Sequence, residues 1–98
     1  MASCYIIYSP KASVYYVGAT TEDVLLRINR HNQNYYGAEK YTKISDDWEL
    51  YVEIKCANIT QAMQIEKHIK KMKSREYYKS LKKYPEMTIK LLNKYKDS

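Results

Sequence analysis

Residues 16–31, YVGATTEDVLLRINRH, decide how this chain is organised. A short apolar run, VYYV at 14–17, reads as a strand that stops at Gly18. A Thr-rich turn follows, and then a helical pattern begins. Thr20 and Asp23, three apart, have the spacing of a capping box, which predicts a helix over 21–32. Val24, Leu25 and Ile28 supply its apolar stripe. Arg27 and His31 are four apart and share one face of it. The strand thus delivers Tyr16 to its end, and the helix brings a guanidinium and an imidazole beside it. Phenol, guanidinium and imidazole together suit chemistry on an anion such as phosphate.

Working outward, residues 5–8 read as a strand and 9–12 as a turn. A second strand at 13–17 completes a hairpin. Residues 33–47 are polar and hold Gly37 without a clear period, so they read as a long loop. Its Lys40, Tyr41 and Lys43 would let it touch a nucleic-acid strand. Residues 48–55 alternate: Trp48, Leu50, Val52 and Ile54 to one side, Glu49, Tyr51, Glu53 and Lys55 to the other. That is a half-buried strand, expected antiparallel to the hairpin. Asn58 or Thr60 can cap the next helix, whose buried stripe is Ala62, Ile65, Ile69 and Met72. Residues 74–84 read as a further helix. Pro85 suits the first turn of a last one, with Ile89, Leu92 and Tyr95 as its apolar side. The expected fold class is α/β: a three-stranded antiparallel sheet flanked by helices, β-β-α-β-α and one or two terminal helices. One domain over 1–98 is expected, with a core at about 4–81 and a basic helical extension at 82–98.

The 98-residue chain is 45% hydrophobic and 29% charged, an ordinary balance for a small domain. Its 12 tyrosines and lack of Phe are unusual, since tyrosine fills a core but keeps a polar handle. The net charge of +6 is uneven: residues after Glu66 carry +8 and residues 1–66 carry −2. A basic C-terminal third points to a polyanion partner, although a solvated lysine-rich helix face has the same composition. Cys4 and Cys56 form no CxxC pair and no signal peptide precedes them, so reduced thiols in the cytoplasm are the default. No apolar run nears the roughly 18 residues of a membrane span. His31 and His68 offer no zinc-like spacing.

Glu66 lies between Ile65 and Ile69, at the edge of the buried stripe. A carboxylate there is costly unless paired or metal-bound. It can pair with Lys70 at i,i+4. It can also hold Mg²⁺ (or Mn²⁺), a cation that keeps much of its hydration and needs few protein ligands. Arg27 can pair with Glu22 or Asp23, or fork onto a phosphate. His31 can be a helix-end residue favoured by the dipole. Tyr5 and Tyr16 can each be plain core tyrosines.

Several segments in order resemble one family. Tyr16-Val17-Gly18 resembles the second signature of the GIY-YIG nucleases. Ser3-Cys4-Tyr5 sits where the first signature belongs, and only its tyrosine matches. Arg27-x-x-x-His31-Asn32 resembles the family's helix motif. Asp47-Trp48-Glu49-Leu50 and Glu66-x-x-Ile69-Lys70 resemble the third strand and metal-binding helix of small stand-alone bacterial members. The likeness runs from about Tyr5 to Ser80. It implies a metal-dependent endonuclease acting on DNA, structure-selective in repair or recombination, or a nucleic-acid-binding module of the same fold with little or no cleavage. It implies Tyr5, Tyr16, Arg27, His31 and Glu66 as the catalytic set, with Glu66 on the metal. Either Tyr5 or His31 serves as the base. Lys40, Lys43, Lys70, Lys71, Lys73 and Arg75 are the expected DNA contacts. The chain departs from the family pattern in three places. Gly and Ile of the first signature are Ser3 and Cys4, and the turn between Gly18 and Arg27 is one residue longer. Tyr78, Lys79, Ser80 and Leu81 occupy the region where several members carry an Asn.

Overall fold

β1 (Ala2–Ser9) and β2 (Val14–Thr20) form the expected hairpin, and β3 (Glu49–Cys56) pairs antiparallel with β1. The sheet order is β2-β1-β3. The computed structural model describes residues 2–33 and 45–96. Lys40, Tyr41 and Lys43 of the expected loop lie outside them. The helices among the described residues are α1 (Val24–Asn32), α2 (Ile59–Met72), α3 (Arg75–Lys83) and α4 (Pro85–Lys94). This is the α/β architecture expected, with both terminal helices present.

β1 is the central strand, and it is buried on both faces, which is why CYIIY runs apolar without a polar break. Cys4 and Ile6 pack with Ala62, Ile65 and Ile69 of α2, and with Leu81 and Leu91 from α3 and α4. Tyr5 and Ile7 face the other way, onto Val24 and Ile28 of α1 and onto Trp48. Each fully buried isoleucine contributes about 1.5–3 kcal/mol of transfer free energy. Cys4 therefore does the packing work of an aliphatic side chain, and burial pushes its thiol up, far from reactivity. Ser3, in the preceding position, donates to Glu53 Oε2 at 3.0 Å.

Several local expectations need correction. The alternation of 48–55 breaks at a β-bulge: Val52 opposes Ile6 and Leu50 opposes Ile7, so Tyr51 is the extra residue. Trp48 joins the α1 side, whereas Val52 and Ile54 join the α2 side, and Tyr51 packs against that same α2-side core. β2 runs through Gly18 to Thr20, and α1 starts at Val24. No capping box forms. Asp23 is itself the N-cap and accepts from Leu25 N, while Thr20 Oγ1 accepts from Glu22 N in a tight turn. Leu25 is 66% exposed, and His31 takes its place on the buried face beside Val24 and Ile28. Met72 and Ile89 are likewise exposed, and Leu91 is the fully packed residue of α4. Asn58, not Thr60, caps α2. Ser74 caps α3, and Pro85 opens α4.

Two polar clamps hold the ends of these elements. Asn32 exchanges two hydrogen bonds with the Trp48 backbone: its Nδ2 donates to Trp48 O at 3.0 Å, and its Oδ1 accepts from Trp48 N at 2.5 Å. The end of α1 is thereby fixed to the start of β3. Asp47 does the same for the hairpin. Its Oδ1 accepts from Ser9 and Ser45 hydroxyls at 2.5 Å, and its Oδ2 from Lys11 N at 2.8 Å.

The Ser45 and Ser9 hydroxyls hold the Asp47 carboxyl down at about 2. An unfolded aspartate titrates near 3.9, as a typical value. The native value is the lower one, so the stability Asp47 contributes is present above the unfolded value and lost as pH falls towards about 2. Urea unfolding of wild type and Asp47→Asn across pH 6 to 2 should show a stability gap that narrows with acid. A gap independent of pH would mean that the carboxylate charge contributes nothing.

Candidate active site

The site is built on a missing side chain. Tyr5 on β1 stands opposite Gly18 on β2. The phenol lies across that glycine, so that a Cβ at position 18 would sit 2.6 Å from Tyr5 Oη and 2.7 Å from Cζ. A glycine inside a strand often marks such a close approach. Any side chain at 18 would push the phenol out of place. Tyr5 is only 1% exposed, so its ring has little room to retreat. Overpacking of this kind typically costs about 1–3 kcal/mol. Gly18→Ala is expected to lose stability in that range and to shift the Tyr5 ring. Tyr5→Phe should not relieve the clash, because Cζ remains. Unchanged urea stability of Gly18→Ala would contradict the packing described.

α1 brings the other groups to this phenol. The Asp23 cap sets where the helix begins, and from it Arg27 and His31 project one turn apart on the face towards the sheet. His31 is 1% exposed, and its Nε2 lies 3.4 Å from Tyr5 Oη. The Tyr16 ring stands edge-on to the same imidazole, with centroids 5.8 Å apart. Burial pushes the Tyr5 phenol above its ordinary value; the Arg27 guanidinium pulls it back, and the Glu66 carboxylate adds to the rise. Tyr5 is therefore a neutral phenol at pH 7 with a cation and an imidazole at its hydroxyl.

The Arg27 side chain is 25% exposed and lies 3.6 Å from Glu22. Glu22 is taken more closely by Arg30, whose Nη1 meets both carboxylate oxygens at 2.8 Å. Arg27 Nε is buried and has no hydrogen-bond partner among the described residues. A guanidinium turned towards the phenol and still a quarter exposed suits an incoming oxyanion.

α2 closes the site from the edge of β2. Glu66 Oε2 accepts from Lys70 Nζ at 2.6 Å, and that ammonium lies 5.6 Å from the centre of the Tyr16 ring. The i,i+4 pair expected from the sequence is thus present. It also ties Glu66 to the tyrosine of the hairpin. The structure brings Tyr5, Tyr16, Arg27, His31 and Glu66 to one place, with Lys70 among them. The other expected DNA-binding residues among the described ones divide into two groups. Lys71 and Lys73 are exposed and line one surface depression with Glu66 and Lys70, Lys73 ending α2 in a left-handed conformation at φ 46°, whereas Arg75 donates to the Ser13 carbonyl while lying over Tyr15. Arg75 is thereby engaged in pinning α3 to the hairpin turn. In the 78–81 region, Tyr78 stacks near Tyr15 and Leu81 is core, so these residues pack the sheet away from the phenol.

The sequence names Gly18, Asn32 and Lys70 without showing what each does in the site. Gly18 was legible as a strand end but not as the floor beneath Tyr5, although a glycine within an apolar strand is the usual sign. Asn32 was part of a motif whose clamp on Trp48 needs the fold to be seen. Lys70 reaching Tyr16 depends on how α2 crosses the sheet edge, which no local pattern encodes.

The family model for the GIY-YIG catalytic domain matches residues 1–83 of the chain. The chain belongs to the GIY-YIG nuclease family. No curated protein and no solved structure matches it closely enough to name a relative. In this GIY-YIG domain the two signature tyrosines lie on neighbouring antiparallel strands and converge on His31. The family identity makes DNA the expected kind of substrate. No helix among the described residues is long and apolar enough to cross a membrane.

Proposed function

We propose that this chain is a divalent-metal-dependent endonuclease that hydrolyses phosphodiester bonds in DNA and selects its substrates by their structure, in repair or recombination. The observation that carries this reading is the convergence of Tyr5, Arg27 and His31 over Gly18, with Glu66 beside them. An inert binding module has no need for a buried phenol held against a buried imidazole.

In the proposed reaction a water attacks phosphorus while the bond to the leaving oxygen breaks. A neutral phenol is a poor base, so Tyr5 takes the water proton as its own passes to His31, the neighbour at 3.4 Å. Arg27 offers its partly exposed guanidinium to the charge that builds on the phosphoryl oxygens. Tyr16 holds the imidazole edge-on and keeps it turned to Tyr5. Glu66 is the residue that would hold Mg²⁺ or Mn²⁺. The position suits a cation, since an ammonium already rests on its carboxylate at 2.6 Å. Among the described residues no three His, Cys, Asp or Glu side chains gather, which fits an ion that keeps waters and takes a substrate phosphate as further ligand. When bound, such an ion stabilises charge on the leaving oxygen.

Lysines flank Glu66. A surface depression of about 480 Å³ is lined by Glu66 with Lys67, Lys70, Lys71 and Lys73. Lysine contacts to phosphates carry no sequence information, so selectivity would come from the shape of the DNA. Cleavage should be assayed with Mg²⁺ or Mn²⁺ on duplex, nicked, flapped and branched DNA. Preferential cutting of one of the interrupted structures is expected. Equal cutting of all four would remove structure selectivity, and no cutting of any would leave only the binding module.

A further inference from the structure

α2 carries more charge than the active site uses. At 100° per residue, Glu66 and His68 point about 200° apart, so the helix has a second working face. That face meets α4 across a groove of about 490 Å³, lined by Lys67, Lys71 and Lys94 around His68 and Tyr95. A smaller depression of about 290 Å³ shares His68 and Lys94 and adds Lys90. All four lysines are exposed. Among the described residues, Lys11, Lys70 and Lys79 have carboxylate partners, whereas Lys67, Lys71, Lys90 and Lys94 have none.

The floor of the groove is ordered. His68 Nδ1 and the Tyr95 hydroxyl lie 3.0 Å apart, with the rings edge-on at 5.9 Å. Burial holds the His68 imidazole below its ordinary value, and Lys94 and Lys71 lower it further. Among the described residues no carboxylate pairs with these lysines, so the local field is positive. The charges also have a pattern. Lys67 and Lys71 on α2, and Lys90 and Lys94 on α4, form two i,i+4 pairs, each spanning about 6 Å along its helix. Two rows of repeated charge suit a polyanion better than one compact anion. The rows are continuous with the catalytic side, because Lys67 and Lys71 also line the depression beside Glu66.

We propose that the α2–α4 groove is a second nucleic-acid site, which holds backbone phosphates of a strand segment led around α2 from the bond being cut. This rests on the nuclease reading and adds to it: the enzyme grips an arm of its substrate as well as the scissile region. The lysines carry no amide or forked chemistry for reading base edges, so the grip is on the backbone.

The test compares two single charge removals in the whole chain, Lys94→Gln in the groove and Lys55→Gln on β3. The probe is a flapped DNA of defined sequence. Removing one lysine that neutralises a phosphate should lower the slope of log K against log salt by about 0.9. Lys94→Gln is expected to weaken binding several-fold and reduce that slope by about 0.9, with Lys90→Gln as a second variant behaving alike. Lys55→Gln should change neither, and the single-turnover rate at saturating DNA should stay at the wild-type value in all three. The His68 ring resonances should shift when DNA is added. Wild-type binding with a slope that neither groove variant alters, or with an unmoved His68, would overturn the second site and leave the nuclease reading standing. A wild type that binds no DNA at low salt would overturn both. Displacement of His68 resonances by an acidic protein but not by DNA would also overturn it.

Discussion

Arg27→Ala should cut DNA roughly 10²–10³ more slowly than wild type under single-turnover conditions, with a much smaller change in Kd. The loss corresponds to about 2.7–4 kcal/mol, the usual cost of removing one preorganised donor from a developing charge. The asymmetry follows from where Arg27 sits. Its side chain is three-quarters buried beside Tyr5, whereas the lysines of the positive surface are exposed. It therefore adds little to the encounter with DNA and acts where charge builds up. Lysine at 27 keeps the charge but loses the planar fork, so Arg27→Lys should recover only part of the rate. The binding-module alternative expects the reverse, a change in affinity with no turnover to lose. Equal single-turnover rates for wild type and Arg27→Ala at saturating DNA would remove Arg27 from the chemistry.

Glu66→Gln is expected to have a still larger effect on rate: no detectable cleavage, and weaker binding of Mg²⁺ measured by calorimetry. Glutamine preserves the size of the side chain and removes the charge a divalent cation requires. The pair with Lys70 is lost as well. Lys70 is half exposed, so solvent screens that pair and the fold should survive its removal. Near wild-type cutting by Glu66→Gln would reduce Glu66 to a surface partner of Lys70.

The strand–turn–helix at 14–32 was legible because three local signals agree there: a β-branched and aromatic run, a polar turn, and apolar residues at helical spacing. Arg27 and His31 followed from the period of the helix alone. The two-faced burial of β1 was harder to see, since CYIIY has no alternation to say which side chain goes where. Pairing with Gly18 decides that Tyr5 faces α1. The bulge at Tyr51 was invisible, because an extra residue leaves the written alternation of 48–55 intact while reversing part of it in space. Leu25 misled for a related reason. With α1 beginning at Val24, the helix turns its Val24–Ile28–His31 face to the sheet and leaves Leu25 to solvent. Glu66 needed the family resemblance, because its pairing with Lys70 is real and would satisfy a purely local reading.

The most direct test of the nuclease reading is single-turnover cleavage of an end-labelled flapped or branched DNA by the purified chain, with Mg²⁺ and then with a chelator added. The expected result is product that accumulates with Mg²⁺, stops with the chelator and is absent for Glu66→Gln, while all three samples still bind the DNA. Binding without product in Mg²⁺ and in Mn²⁺, on every DNA structure tried, would contradict it.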